Sequence, residues 1–347
     1  MTTKEEKLAA LLEQFDTLGI DRQIDYDKFY LYSLITHSTA IEGSTVTELE
    51  NQLLFDEGIS AKGRSMAEQL MNLDLKAAYE RSIAYAKART DLSVGMLCEL
   101  SACVMKNTGT IYNTPLGRFS SAAGDLRLLN VTAGAGGRSY MNFQKVPGKL
   151  EEFCQWLNMQ RRRKGRSALD SYYLSFDAHL RLVTIHPWAD GNGRMARLLM
   201  NQLQFESGLL PSKILREHKA EYIEALIAAR DREDESIFRD FMLAEHIRNI
   251  EQMIGEYCSS MENSGIPAPD VRANVRVNVR VKTPRQQQIL DRMHREPSVT
   301  VDALAAWLQV NERTIRRDIA ALRKAGSVER IGADKNGVWI VAETIPE

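Results

Sequence analysis

The sequence predicts a mainly α-helical chain that ends in a small α+β module, and three observations predict it. Apolar residues recur at helical spacing through most of the stretch from Lys4 to Tyr257. Asn107 to Val146 breaks that pattern with extended and glycine-rich sequence. From Pro284 onward, three short helical patterns are followed by two short β-type runs.

With 347 residues the chain has room for two domains and an ample core. Lys and Arg (45) nearly balance Asp and Glu (46), and the net charge of −1 argues against a chain that coats nucleic acid over its whole surface. Local basic patches stay open. Cys98, Cys103, Cys154 and Cys258 form no Cys-x-x-Cys pair and no disulfide framework. Met1 to Asp16 is charged, without the apolar centre of a signal peptide. No run approaches the roughly 18 apolar residues of a spanning helix. A soluble, cytoplasmic protein with no membrane segment is expected.

Taken in order, Lys4 to Leu18 reads as an amphipathic helix, with Leu8, Leu11, Leu12 and Phe15 on one face and Gly19 closing it. Tyr26 to Ile41, Glu48 to Glu57, Ser65 to Ala88 and Leu92 to Met105 follow as helices. Gly124 to Thr132 then looks extended, Ala133 to Gly137 is a turn, and Ser139 to Phe143 is the expected returning strand. Gly134-x-Gly136-Gly137 is no phosphate loop, because no Lys-Ser/Thr follows and no strand–loop–helix context surrounds it. Lys149 to Gln160 returns to helix around Phe153, Trp156 and Leu157. Five cations then occur in six residues, Arg161 to Arg166, and read as a solvated inter-helix loop rather than a nucleic-acid contact.

Asp170 to Ile185 is helical, with Leu174, Ala178, Leu182 and Ile185 near one face; His179 on it reads as a core histidine. Periodicity resumes at Met195, Leu198, Leu199 and Leu203 and stops near Ser207-Gly208 and Pro211. Ala220 to Arg230 and Asp240 to Tyr257 are further helices. Ser259 to Pro269 is a linker by composition, and Val271 to Val281 alternates with the period of a strand. Arg285 to Arg295, Val301 to Leu308 and Arg313 to Ala325 are the last helices, with Asn311 as a cap for the third. Val328 to Ile331 and Val338 to Val341 form a hairpin around Lys335-Asn336-Gly337.

The chemistry concentrates between two of these helices, in His186-Pro187-Trp188-Ala189-Asp190-Gly191-Asn192-Gly193-Arg194-Met195-Ala196-Arg197. Pro187 and Gly191-Asn192-Gly193 interrupt the helical pattern, so a loop leads into a new helix start. Such a start offers free backbone N–H groups and positive potential, and glycine lets a phosphate come close. Arg194 and Arg197 add charge suited to bidentate phosphate contacts. Asp190 suits magnesium, which favours one or two carboxylates plus substrate phosphates. His186 has the intrinsic pKa of a general base. Residue by residue, a turn and a structural histidine would explain as much; the joint pattern does not reduce to those.

That stretch resembles the signature of Fic-domain proteins, His-Pro-Phe-x-Asp/Glu-Gly-Asn-Gly-Arg-x-x-Arg, departing only at Trp188, where the family usually has Phe. Ser38, Glu42 and Gly43 match the family's inhibitory pattern Ser/Thr-x-x-x-Glu-Gly/Asn. The resemblance implies a Fic-type helical bundle with a β-hairpin flap, inhibited by its own N-terminal helix through Glu42 and Arg197. Gly124, Arg127 and Val131 fit the flap pattern Gly-x-Tyr-Arg-x-x-x-Val, while Leu126 replaces its aromatic; the flap lends a strand edge to the target. Thr314 to Leu322 resembles the recognition helix of DeoR-type regulators, so the last three helices and hairpin look like a winged helix-turn-helix. Arg313, Arg316 and Arg317 are its expected DNA contacts, with protein docking as the alternative.

The resemblance implies AMP transfer from ATP to a hydroxyl side chain of a target protein, the chain itself included. His186 would be the base and Asp190 the Mg2+ ligand. Gly191, Asn192, Gly193, Arg194, Met195, Ala196 and Arg197 would hold the nucleotide, and Tyr222 would wall the adenine. The rival is a DNA-binding regulator whose Fic core only senses nucleotide; another donor, or removal of AMP, also stays open. So do DNA and a second copy of the chain as partners. The expected divisions are 1–93, an N-terminal helical region; 94–257, the Fic core; 258–283, linker and strand; and 284–347, the winged helix.

Overall fold

The computed structural model describes residues 3–133, 139–263, 284–295, 299–308, 310–324, 328–331 and 338–341. Thirteen α-helices and four strands lie among these residues. The chain divides into two compact units, Met1–Val271 and Arg272–Glu347.

In the first unit the helices are α1 (Lys4–Leu18), α2 (Tyr26–Ile41), α3 (Glu48–Glu57), α4 (Met66–Ala88), α5 (Val94–Val104), α6 (Val146–Arg161), α7 (Ala168–Ile185), α8 (Asn192–Glu206), α9 (Lys219–Arg232) and α10 (Glu235–Asn263). Their starts are legible: Thr3, Thr47, Ser65 and Ser167 each close a capping box with an acidic residue three positions on. The centre is α8, which is buried on nearly all sides. Met195, Leu198 and Leu199 join one cluster with Leu75, Leu97 and Leu182, while Met200 joins another with Phe176 and Phe238. Each such buried apolar side chain contributes roughly 2 kcal/mol. A helix without a wet face must bond its polar residues sideways. Asn201 accepts from the Tyr79 hydroxyl (2.6 Å), and Gln202 accepts from Ser82 Oγ (3.0 Å).

Helix α2 is held as firmly, by polar groups. Asn72 Oδ1 accepts from Thr39 Oγ1 (2.8 Å) and Asn51 Nδ2 (2.9 Å), and Asn51 Nδ2 also reaches Thr36 Oγ1 (2.7 Å). This network ties α2 to α3 and α4, with all of its members buried.

Three expectations are corrected. The strand expected over Gly124 to Thr132 is irregular, with one bridge between Thr132 and Ser139. Gly124 turns the chain at φ +73°, and the Arg127 side chain takes carbonyls that a ladder would use. A regular hairpin that was not expected lies earlier, where β1 (Ile111–Thr114) pairs antiparallel with β2 (Gly117–Ser120). Tyr112 and Phe119 stack across it, 4.8 Å between centroids. Finally, α10 runs through Asn263 into the expected linker, with Ser260 bonded back to the Tyr257 carbonyl. The cationic stretch is only partly solvated: the Arg161 side chain, at the end of α6, is 6% exposed and pairs with Glu206 at 2.5 Å.

In the second unit α11 (Pro284–Arg295), α12 (Val301–Leu308) and α13 (Glu312–Lys324) precede β3 (Val328–Ile331) and β4 (Val338–Val341), which pair antiparallel. Ile289, Leu304, Ile315, Ile319 and Trp339 form its core. Asn311 caps α13, accepting from the Thr314 N–H at 2.8 Å. Arg316 and Arg317 are exposed on α13. The Arg313 side chain, the Gly134 to Gly137 turn, the strand expected at 271–281 and the turn at Lys335-Asn336-Gly337 lie outside the described residues.

Candidate active site

His186 closes α7 and Gly191 opens α8, so only Pro187 to Asp190 carry the chain between two helix ends. Both closing residues adopt left-handed backbone, His186 at φ +52° and Gly191 at φ +81°. That double reversal sets an imidazole beside the start of α8. Glycine is required at 191, where a Cβ would meet Met105 Sδ at 2.7 Å.

Asn192 does not reach toward the site as expected. Its Nδ2 donates to the Trp188 carbonyl (2.9 Å) and its Oδ1 accepts from the Trp188 N–H (3.1 Å), bracing the loop. Trp188 is fully buried, and its indole N–H donates to the Gly124 carbonyl at 3.1 Å. A phenyl ring could not make that bond, so the departure from the expected Phe adds a tether. Trp188→Phe should therefore cost about 1–2 kcal/mol of unfolding free energy, the loss of one buried hydrogen bond. Denaturant unfolding checks this, and wild-type stability would refute the tether.

The start of α8 has no side-chain cap, so its first N–H groups are open to an anion. Gly193 leaves room there, and the room is taken: a Cβ at 193 would stand 2.7 Å from Glu42 Oε1. Arg197, 3% exposed, donates Nη2 to that oxygen at 2.5 Å. It also donates Nε to Ser38 Oγ and Nη2 to the Ser38 carbonyl, each at 2.9 Å, covering an orphan carbonyl near the end of α2. Burial pushes the Glu42 carboxyl up, but the charge and hydrogen bond of Arg197 outweigh it and hold the group below the usual carboxylate range. The pair is charged at neutral pH.

Arg194 is as buried, at 2% exposure, yet poorly satisfied. Nη2 meets Met105 Sδ at 3.0 Å, Nη1 meets the Val104 carbonyl at 3.5 Å, and the buried Nε has no partner. A guanidinium left with a thioether and a long carbonyl contact is a built place for anionic oxygen. Asp190 stays exposed, accepting the Gly191 N–H at 2.6 Å and standing 3.8 Å from Arg194. No group of three or more metal-ligating side chains occurs among the described residues. One exposed carboxylate fits an ion that takes its other ligands from phosphates and water.

The His186 ring donates its Nδ1–H to the Val183 carbonyl, 3.3 Å away. Burial, chiefly, lowers its pKa to about 4, so the imidazole is neutral at pH 7. With the proton on Nδ1, Nε2 is a free lone pair.

The remaining expected residues are placed differently. Met195 and Ala196 lie in the core. Tyr222 is buried behind Arg197, its hydroxyl 3.4 Å from Nη1 and 3.0 Å from His179 Nε2. His179 is thus a core histidine, which burial and the charge of Arg197 keep neutral. Gly43, at φ +106°, has open space around it. Gly124 is buried against α5, and Val131 gives its carbonyl to the Tyr140 N–H. Arg127, expected in the target-docking flap, is 1% exposed and points inward. Its Nε donates to the His186 carbonyl (2.8 Å), and its other nitrogens to the Leu129 and Met141 carbonyls. The sequence did not single out Tyr140, which lies on the His186 ring. An aromatic 46 positions from its partner leaves no spacing signal.

Residues 91–204 match the Fic/DOC family and residues 285–334 the DeoR-like helix-turn-helix domain. The chain is 25% identical over 244 residues to the protein adenylyltransferase fic-1 of Caenorhabditis elegans, covering 70% of this chain and 44% of that one. It is 27% identical over 237 residues to the protein adenylyltransferase Fic of Drosophila melanogaster, covering 67% and 43%. It therefore spans less than half the length of these relatives. Among solved structures, a Fic domain containing signaling protein from Bacteroides thetaiotaomicron matches with TM-score 0.61 at 21% identity, covering 73% of this chain and 97% of that one. A Fic family protein from Desulfovibrio desulfuricans matches with TM-score 0.56 at 16% identity, covering 99% and 96%. No helix among the described residues is long and apolar enough to cross a membrane. The chain carries a Fic/DOC-family domain over residues 91–204 and, behind it, a DeoR-like helix-turn-helix domain over residues 285–334.

Proposed function

We propose that this protein transfers AMP from ATP to a hydroxyl side chain of a protein, and that Glu42 holds it inactive at rest. The observation carrying this reading is the Glu42 carboxylate set on Arg197 at the bare start of α8, with neutral His186 one loop away. The names of the relatives, adenylyltransferases from worm and fly, point the same way.

In this reading the triphosphate lies along the N–H groups that open α8, with Arg194 and Arg197 on its oxygens. His186 Nε2 takes the proton of the target hydroxyl, whose oxygen attacks the α-phosphorus. The bond from that phosphorus to the bridging oxygen breaks, and pyrophosphate leaves with the electron pair. Asp190 would hold Mg2+, which when bound offsets charge on the phosphates. Glu42 competes with the terminal phosphate for Arg197 and repels it. The test is incubation of the Glu42→Gly protein with ATP labelled at the α- or the γ-phosphate. Protein-bound α-label without γ-label supports AMP transfer; γ-label would make the enzyme a kinase instead.

A second reading concerns the C-terminal unit: exposed Arg316 and Arg317 on α13 of a DeoR-like domain favour duplex DNA as a further partner. Arg316 reaches back to Glu312 at 3.2 Å, an exposed pair that DNA can replace. Changing both arginines to alanine in the full chain should weaken binding about tenfold or more and flatten the salt dependence by roughly two phosphate contacts. Unchanged binding and salt slope would remove DNA from this face.

A further inference from the structure

The Tyr140 ring lies flat on the His186 imidazole, centroids 3.7 Å and planes 17° apart. The guanidinium of Arg230, from α9, lies over the same phenol ring, 5.6 Å from its centroid. The backbone holds Tyr140 in that place. Its N–H donates to the Val131 carbonyl at 3.0 Å, and the carbonyl of its neighbour Met141 accepts from Arg127 at 2.5 Å. Through Nε, that same Arg127 holds the His186 carbonyl at 2.8 Å. One buried guanidinium therefore fastens the residue next to the one that stacks, and the residue that is stacked upon.

The base needs such support. A left-handed backbone at a non-glycine residue costs about 1 kcal/mol, and a single 3.3 Å contact at Nδ1 does little to fix the ring. We propose that Tyr140 is a positioning residue: it clamps the His186 ring flat, aims Nε2 outward and keeps water off the imidazole face. This rests on His186 being the base of the proposed transfer. Stacking covers the ring's face and leaves its edge free, which suits a group that must exchange a proton at Nε2. The charged groups that act on the imidazole are Arg127, Arg230 and Glu42; the two cations disfavour its protonation and the carboxylate favours it, while burial contributes most to keeping it neutral.

The experiment is a 15N-histidine NMR titration of the full chain, with the His186 signal assigned by its loss in His186→Asn. Tyr140→Phe keeps the flat ring and should titrate as wild type. Tyr140→Ala exposes the imidazole and should move its midpoint up toward the ordinary histidine value, and Tyr140→Leu, which keeps bulk without a flat face, should lie between. On the Glu42→Gly background, Tyr140→Ala should lower kcat about tenfold with KM for ATP nearly unchanged, and its activity should fail at a higher pH on the acid side. Tyr140→Phe should restore all three. An unmoved midpoint and unchanged kcat in Tyr140→Ala would overturn the proposal. A moved midpoint in a protein that transfers no label, Tyr140 intact or not, would support the clamp and reject the transfer reaction.

Discussion

Replacing Glu42 by glycine should raise the rate of AMP transfer about a hundredfold. For the terminal phosphate to reach Arg197, the carboxylate must first leave a largely buried guanidinium at 2.5 Å. Separating such a pair costs about 3 kcal/mol, which is about two factors of ten in rate. The gain depends on Arg197 staying in place, and the structure supplies the means. Ser38 still holds Nε and Nη2, and the Tyr222 hydroxyl still stands behind Nη1. The variant should thus present an ordered guanidinium with one N–H direction opened. Initial rates of α-label incorporation, variant against wild type at one ATP concentration, decide the matter; equal rates would mean that Glu42 is no lock. Acid is a poor substitute for the mutation. A carboxyl held below its usual range stays charged down to pH values where other groups titrate first.

Replacing His186 by alanine in the Glu42→Gly protein should lower transfer about a thousandfold, the usual span for removal of a positioned general base. ATP affinity should hold, because the phosphate groups face α8 and its arginines. Calorimetry with ATP separates the two effects, and a parallel loss of binding would place His186 among the nucleotide contacts instead. The pH profile carries a sign of its own. The imidazole acts in its neutral form, and its pKa lies near 4. The rate should stay level from neutral pH downward and fall only as that value is approached, well below the fall expected for an exposed histidine near 6.5.

Much of this molecule was legible in its sequence, and the parts that were not share a cause. Helix limits could be read from apolar spacing and closing residues, as for α1 from Lys4 to Leu18 before Gly19. The loop from His186 to Arg197 could be read because its residues are consecutive, so covalent geometry alone keeps them together. The β1–β2 hairpin escaped because four-residue strands hold too little alternation to see, although Thr114-Pro115-Leu116-Gly117 is a turn sequence and Tyr112 and Phe119 flank it. The side-chain roles of Asn192 and Arg127 escaped for another reason. Residue type says that an amide or a guanidinium will find partners, and only the fold says whether those partners are ligand or backbone. Asn192 met Trp188, and Arg127 met the carbonyls around the base.

The network joining Thr36, Thr39, Asn51 and Asn72 sets where α2 ends, and with it the reach of Glu42. With that helix pinned to α3 and α4, whatever frees the site has only a side chain to move. On the proposed reading, the fold would confine release of Glu42 to rotations about a few bonds, over distances of a few ångströms. Arg194 and Arg197 share one buried neighbourhood, and Glu42 is the anion whose charge acts on both. When the carboxylate turns away, a phosphate must arrive to take up the role of counter-ion. The substrate would then serve as a structural part of the enzyme it activates.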